Sequence, residues 1–448
     1  MAQVYPFRAF RYHPAQASFD RVLTQPYDKI SPAMQEKYYA ADPHNLITVE
    51  KGRAFPDDSP QNTVYTRAAA ALHDWIANHI VVQDPAPAFY AYTQEYTVPG
   101  GNDRRTRRGF IGAGKLEEYS AGVVFRHEHT LAGPKADRLE LLRHTQTHTG
   151  QLFMLYSDEL RRVDAILTEA ESAAPPATEM RDEYGVVHRL WPISEPDRVT
   201  AIQEAMNPQR LVIADGHHRY ETALNYRNER RGQPGHGNPD APYERAMMTF
   251  FNTRSEGLTI LPTHRVAAGL DDFSWSSVRR YLEPWFAAEV FPFANDAAQP
   301  EARAKSLARL VEAREQRAIG VYPSAEPQKR AFYILTLRSG VDLALLLPDT
   351  PALQRELDVV LLHEGILEAA LGITPQAVTS EKNLTYEREA GAALDAVDRG
   401  AAQIAFLLNA CDVQQVMHIA TSGEVMPQKS TDFYPKLLSG ITMYRLDC

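Results

Sequence analysis

The sequence predicts a mixed α/β fold, and three observations carry that prediction. Short β-branched or aromatic runs recur along 448 residues, amphipathic stretches fall between them, and the alternation is too irregular for a pure βαβ repeat. A hydrophobic share of 44% supplies a large core, and the length suggests two to three domains. The formal net charge of -10, without a long basic run, argues against a broad nucleic-acid surface. Two cysteines, Cys411 and Cys448, make neither a disulfide framework nor a zinc site, and fit a reducing compartment. The first residues lack an apolar signal segment, and no apolar run reaches the roughly 18 residues of a membrane span. A cytoplasmic location with no membrane partner is therefore expected.

In chain order, residues 64–80 read as a helix with Ala68, Ala71, Leu72, Trp75 and Ile76 on one face. Runs 88–98 and 106–116, joined by Pro99-Gly100-Gly101-Asn102-Asp103, read as a hairpin. A helix is expected at 138–149, then an apolar stretch from Leu152 to Tyr156, then a loop around Pro175-Pro176. Leu211-Val212-Ile213-Ala214 reads as a strand that turns at once into a helix reaching about residue 231. The Gly-, Pro- and Asn-rich residues 232–242 read as an exposed loop. Runs 246–251 and 258–262 suggest a second hairpin. Helices near 274–286 and 300–315, with strands at 317–322, 332–337 and 342–347, suggest a separate α+β unit. A helix over 355–371 stops at Gly372, and Gln403 to Leu408 reads as a buried strand.

The chemistry concentrates in IADGHHRYETAL, residues 213–224. A strand, a tight turn at Gly216 and a helix start are the usual setting for a bound phosphate. Free N–H groups of the first helical turn add to the positive end of the dipole. His217 and His218 add titratable donors, and Arg219 can grip phosphate oxygens in bidentate fashion. Asp215 is placed to cap the helix and to share a magnesium ion with the phosphate.

A second cluster is FRHEHTLAGPKADR, residues 125–138. In extended chain His127 and His129 face one way, and Glu128 the other, where it could serve as general base. Lys135, in a Gly133-Pro134-Lys135 turn, and Arg138 are candidate phosphate ligands. A third is MPQKSTDFYPKL, residues 426–437, in which Lys429, Ser430 and Thr431 make a donor-rich turn without the glycines of a Walker motif. In a fourth, QPYDKISP, Pro26 and Pro32 stiffen a turn holding Tyr27 and Asp28, Asp28 being the other candidate base. His363 and Glu364 read as structural, and GFIGAG at 109–114 misses the dinucleotide fingerprint.

QPYDKISP, HEHTLAGPKADR, IADGHHRYETAL, ILPTHR (260–265) and MPQKSTDFYPKL occur in this order. Together they resemble the bacterial family known as domain of unknown function 1015. That family is similar to the ParB–sulfiredoxin superfamily, whose members bind nucleotide phosphates at a Gly-containing, Arg-bearing turn and which includes free-serine kinases. The resemblance implies a ParB/sulfiredoxin-like phosphate-binding core with a mixed sheet at 1–265, an accessory α+β unit at 266–350, and a C-terminal segment, 351–448, packing back on the core. It implies phosphoryl transfer to a small hydroxyl compound, first of all L-serine, from ATP, ADP or pyrophosphate with Mg2+. In that reading Asp215, His217, His218 and one of Glu128 and Asp28 are catalytic. Gly216, Arg219, Lys135, Arg138, Lys429, Ser430 and Thr431 bind phosphate, and Asp215 holds the metal. The chain departs from partition proteins in lacking a basic DNA-binding region, and from sulfiredoxins in having His217 and His218 where a cysteine would stand. The alternatives are a non-catalytic module binding a nucleotide or phosphometabolite, and a metal-dependent phosphohydrolase using His127, His129, His217 and His218.

Overall fold

The computed structural model describes residues 1–128, 133–235, 237–324, 330–379 and 382–447. The chain divides into two compact units, residues 1–259 with 433–448, and residues 260–432. The boundaries read from the sequence fell instead at 265/266 and 350/351. Residues 384–408 carry two strands of the second unit's sheet, so most of 351–448 folds with that unit. Only 433–448 returns to the first.

The first unit is built on a mixed nine-stranded sheet. Its strands are β1 (Val4–Tyr5), β2 (Phe89–Thr97), β3 (Arg104–Lys115), β4 (Val124–Arg126), β5 (Leu152–Tyr156), β6 (Thr178–Arg181), β7 (Val187–Ile193), β8 (Leu211–Asp215) and β9 (Arg245–Asn252). They run in the order β4-β8-β5-β9-β3-β2-β7-β6, with β1 also on β3. The β2–β3 hairpin forms as predicted, with Val98 N donating to Asp103 O at 2.8 Å. The hairpin expected between 246–251 and 258–262 does not form. β9 lies between β3 and β5, so both its edges are already bonded.

The unit's longer helices include α1 (Val64–Ala77), α2 (Gly133–Thr145), α3 (Arg162–Ala173), α4 (Pro196–Met206) and α5 (His217–Arg231). α1 buries Ala68, Leu72 and Trp75 and opens on a Thr63–Thr66 capping box. α2 begins at Gly133 rather than 138, so Gly133-Pro134-Lys135 is a helix start and not a free turn. Period-two alternation gives the sheet two apolar faces. On one, Phe89, Phe110, Met154, Ile213, Met248 and Phe250 pack with Val163 and Leu167 of α3, Ile202 of α4, and Tyr220 and Leu224 of α5. The other takes the C-terminal segment, where Gln94 Nε2 donates to Lys436 O at 2.8 Å and Gln151 Nε2 to Leu438 O at 3.2 Å.

The second unit has a six-stranded antiparallel sheet of β10 (His264–Ala267), β11 (Phe286–Pro292), β12 (Ile319–Pro323), β13 (Ala331–Leu337), β14 (Leu384–Glu387) and β15 (Ile404–Leu408), in the order β11-β13-β12-β15-β10-β14. Helices α6 (Trp275–Leu282), α7 (Gln299–Glu312) and α8 (Ala390–Asp398) accompany it. The predicted strand at 342–347 is instead a short helix, Leu343–Leu346, because the Asp342 carboxylate accepts from Ala344 N at 2.9 Å and caps it. The helical segment at 355–371 includes a π-turn, His363–Glu368, and ends at Gly372 with φ 69°. Arg265, 1% exposed, donates to His363 Nε2 at 3.0 Å, and Glu364 accepts from the Thr350 hydroxyl, so both keep the structural role expected.

Candidate phosphate site at the β8–α5 turn

β4 and β8 are parallel, pairing Ile213 with Arg126, so their carboxyl ends lie side by side. His127 and Glu128 leave one end and Asp215 to Arg219 leave the other, the end of a sheet where ligands usually sit. Strict alternation would put Asp215 on the same face as Ile213. The register between β8 and β5 shifts from Ile213 to Asp215, and this bulge re-aims the carboxylate. Lys436, on the C-terminal segment, meets it with Nζ 2.8 Å from Oδ2. Arg219 Nη2 stands 4.0 Å from Oδ1. Burial alone would disfavour the charge on Asp215, but Lys436 and then Arg219 outweigh it and hold the carboxyl well below the usual carboxylate range.

Asp215 does not cap α5, since its oxygens are turned to these cations. Gly216 is the N-cap, at φ 93°, and as a glycine it offers no side chain to cap the helix. A Cβ there would lie 3.0 Å from Leu152 Cδ2 and 3.2 Å from Arg219 Nε, so the turn requires glycine twice over. The first bond into the helix is Tyr220 N to Gly216 O at 2.9 Å, which leaves the amides of His217, His218 and Arg219 without intrahelical acceptors. Arg219 donates through Nη1 to Gln151 O, fixing the guanidinium across the turn.

Two of the histidines singled out in the sequence, His127 and His217, form a buried pair. His127 is fully buried, its Nδ1 lies 2.6 Å from Ile213 O, and burial lowers its pKa to about 4. A neutral ring donates to that carbonyl from Nδ1 and keeps Nε2 as an acceptor. His217 packs on it with ring centroids 4.8 Å apart; burial first, and then His127, push its pKa well below the ordinary value. Its Nε2 is buried with no hydrogen-bond partner among the described residues. Two neutral imidazoles thus stand behind a fixed Asp–Lys–Arg cluster.

Tyr27 and Asp28 lie in a one-turn helix, Tyr27–Lys29, between Pro26 and Pro32. Asp28 is exposed. Burial pushes the pKa of the Tyr27 hydroxyl up to about 12, against the lowering charges of Arg219 and Arg138. Arg138 covers the Tyr27 ring at 4.4 Å and is spent on Asp137 and on Glu50 O at 2.8 Å. Lys135 is paired with Glu221. Glu128 is half-buried, and His129 lies outside the described residues. Lys429, Ser430 and Thr431 belong to the second unit, where Arg265 Nη2 holds Lys429 O at 3.1 Å and the Ser430 hydroxyl is bonded to Pro427 O at 2.5 Å. Among the described residues no group of three His, Cys, Asp or Glu side chains could hold a metal ion. Nor is any helix there long and apolar enough to cross a membrane.

Sequence reasoning missed Lys436, which lies inside a quoted motif, and Glu50, whose buried carboxylate accepts from Thr149 Oγ1 at 2.5 Å and Ser439 Oγ at 3.2 Å. It also missed Arg107, fully buried between the Phe153 and Phe251 rings at 4.6 and 4.7 Å. Arg107 bonds Gln94 Oε1 at 3.0 Å and Tyr434 O at 3.2 Å, and Gln94 in turn fixes the backbone of Lys436.

No curated protein matches the sequence. Among solved structures the chain is similar to a free serine kinase in complex with AMP, at 14% identity and a TM-score of 0.33, over 71% of this chain and 88% of that one. It is also similar to a conserved hypothetical protein from Pyrococcus furiosus, at 14% identity and a TM-score of 0.31, over 70% and 90%. A C-terminally truncated SbnI from Staphylococcus aureus aligns at 10% identity and a TM-score of 0.32, over 73% and 85%. A family model described as protein of unknown function (DUF1015) matches residues 4–360, and the chain belongs to that family.

Proposed function

We propose that this protein is a small-molecule phosphotransferase that moves a phosphoryl group from ATP, ADP or pyrophosphate to a small hydroxyl compound, L-serine first. The observation that carries the reading is the β8–α5 turn, where Gly216 in left-handed backbone opens a helix start next to Arg219 with no N-cap side chain. Phosphoryl transfer is mostly positioning and charge neutralisation, and this turn offers both. The amides at 217–219 and the Arg219 guanidinium would hold the donor phosphates. His217 Nε2, lacking a partner among the described residues, would meet a phosphoryl oxygen. Lys436, set against Asp215, would neutralise charge on the transferred group.

Magnesium fits only together with the phosphates. Asp215 is a single carboxylate already facing two cations, and such an ion is ordinarily held by one or two carboxylates plus phosphate oxygens. Either Asp28 or Glu128 would take the acceptor proton. The proposal uses first-unit residues alone.

A phosphorus NMR assay with magnesium, L-serine and each donor in turn tests it. Phosphoserine formed from one donor supports the reading, and no phosphorylated product from any donor contradicts it. The Lys436 contact on Asp215 favours, as a second reading, a module that binds a phosphometabolite without turnover.

A further inference from the structure

Strand β11 (Phe286–Pro292) forms one edge of the second unit's sheet, and among the described residues it pairs with β13 alone. Two bonds at its ends show which of its backbone groups are left over. Arg338 N donates to Trp285 O at 2.9 Å, and Phe293 N donates to Arg330 O at 3.1 Å. Both fall in the register that sets Phe286 opposite Leu337, so Trp285, Ala287, Glu289, Phe291 and Phe293 are the residues that bond across to β13. The N–H and C=O groups of Phe286, Ala288 and Val290 therefore point outward from the sheet. The side chains of the same three residues share a face with Leu335, and with Leu282 and Arg279 of α6 they line a groove of about 280 Å³. Phe286 is buried, Ala288 is exposed and Val290 is 43% exposed. The opposite face is closed, since Phe291 packs with Phe332 and Ile334, and Glu289 pairs with Arg309 of α7 at 2.8 Å.

The outward positions read Pro284, Phe286, Ala288, Val290, Pro292. The order is symmetric about Ala288, with an apolar residue on either side and then a proline, which has no N–H to give. A second β11 laid antiparallel, its Ala288 opposite this one, sets Phe286 against Val290 of the other copy and pairs every outward N–H. Glu289 then faces Ala287 rather than its own equivalent, so no like charges meet. Sliding the register by two residues sets Pro284 against Val290 or Pro292 against Phe286, and leaves an outward carbonyl without a donor. We propose that β11 is a self-association edge, on which a second copy of this chain adds its own β11 antiparallel in the register centred on Ala288. The interface is isologous, and each copy covers the other's Val290. The seam from Phe286 to Val290 is short beside the roughly 800 Å² per partner of a standard interface, so the dimer is weak and concentration-dependent. The proposal does not depend on the phosphotransferase reading.

Sedimentation equilibrium of the full chain between about 1 and 200 µM tests the association. The weight-average mass should rise from monomer toward dimer with concentration. Val290→Lys puts a charge on the seam at an exposed position, and should weaken association at least about tenfold with the circular dichroism spectrum unchanged. Ala288→Cys tests the register. Paired Cα atoms about 5.5 Å apart are within disulfide reach, so mild oxidation should cross-link this variant to a dimer on a non-reducing gel, above the level of wild type and of Ala287→Cys. Should Val290→Lys fail to fold, the cross-link still decides. A chain that stays monomeric throughout that range overturns the proposal and leaves the edge to an extended segment of another protein. A dimer that folded Val290→Lys does not weaken, or that Ala288→Cys does not cross-link above wild type, forms through another surface and overturns it as well.

Discussion

Replacing Lys436 with methionine keeps most of the side-chain stem and deletes one cation from a cluster of three charges. Asp215 would then retain Arg219, at 4.0 Å, and the weaker pull of Lys29. Breaking a buried hydrogen-bonded ion pair typically costs about 3–5 kcal/mol. The two side chains are 24% and 11% exposed, so water reaches part of the stranded carboxylate, and a loss of about 2–3 kcal/mol is expected. Asp215→Asn should cost a similar amount by stranding the lysine. The double variant should lose less than the sum, with a coupling of about 1–3 kcal/mol. Urea unfolding of the four proteins, followed by circular dichroism, measures it. The same pair sets an acid limit. Because the folded pKa of Asp215 lies below its unfolded value, the pair's stability is fully present above about pH 4 and drains away as pH falls further. Wild type should therefore lose stability below that pH more steeply than Asp215→Asn. A coupling under about 0.5 kcal/mol, or matching acid slopes, would refute the claim that Lys436 organises Asp215.

Other consequences follow from the same geometry. Gly216→Ala forces a side chain into left-handed backbone and against Arg219, so it should cost about 1–2 kcal/mol and weaken pyrophosphate binding at least about tenfold, read by thermal shift. Arg107→Met removes the donors from Gln94 and from Tyr434 O, and should lower stability by about 3–5 kcal/mol in urea. His127 has a folded pKa of about 4, below its unfolded value, so it contributes stability that is lost as pH falls from about 6.5 toward 4. His127→Gln should flatten the stability–pH slope there by about 1.4 kcal/mol per pH unit. Gly257→Ala places a methyl 2.1 Å from Thr106 O at φ 84°, and should destabilise the first unit by more than about 2 kcal/mol in the same unfolding assay.

What the sequence made legible is local. The run Leu211–Ala214, the Asp-Gly turn and the helix to Arg231 sit within about twenty residues, and each signal is backbone chemistry that acts over a few bonds. The hairpin at 89–115 and the stop at Gly372 are of the same kind. The missed parts depend on contacts between distant segments. Lys436 reaches Asp215 across 221 positions, and it can do so only because a bulge breaks the alternation at the end of β8. Strand β11 has mixed exposure and no apolar alternation, so its pairing with β13 rather than its own residues defines it. The segment 342–347 is apolar enough for a strand, and one cap by Asp342 turns it into a helix. His217 reads as a titratable donor in the sequence, and nothing there shows that it is buried against His127.

The most direct test of the central claim compares wild type with Asp215→Asn in phosphoryl transfer from radiolabelled ATP or pyrophosphate to L-serine, with the two folds matched by circular dichroism. Labelled phosphoserine in wild type and its loss in the folded variant is the predicted result. Equal transfer by both proteins would contradict the assignment of the β8–α5 turn as the phosphoryl-transfer site.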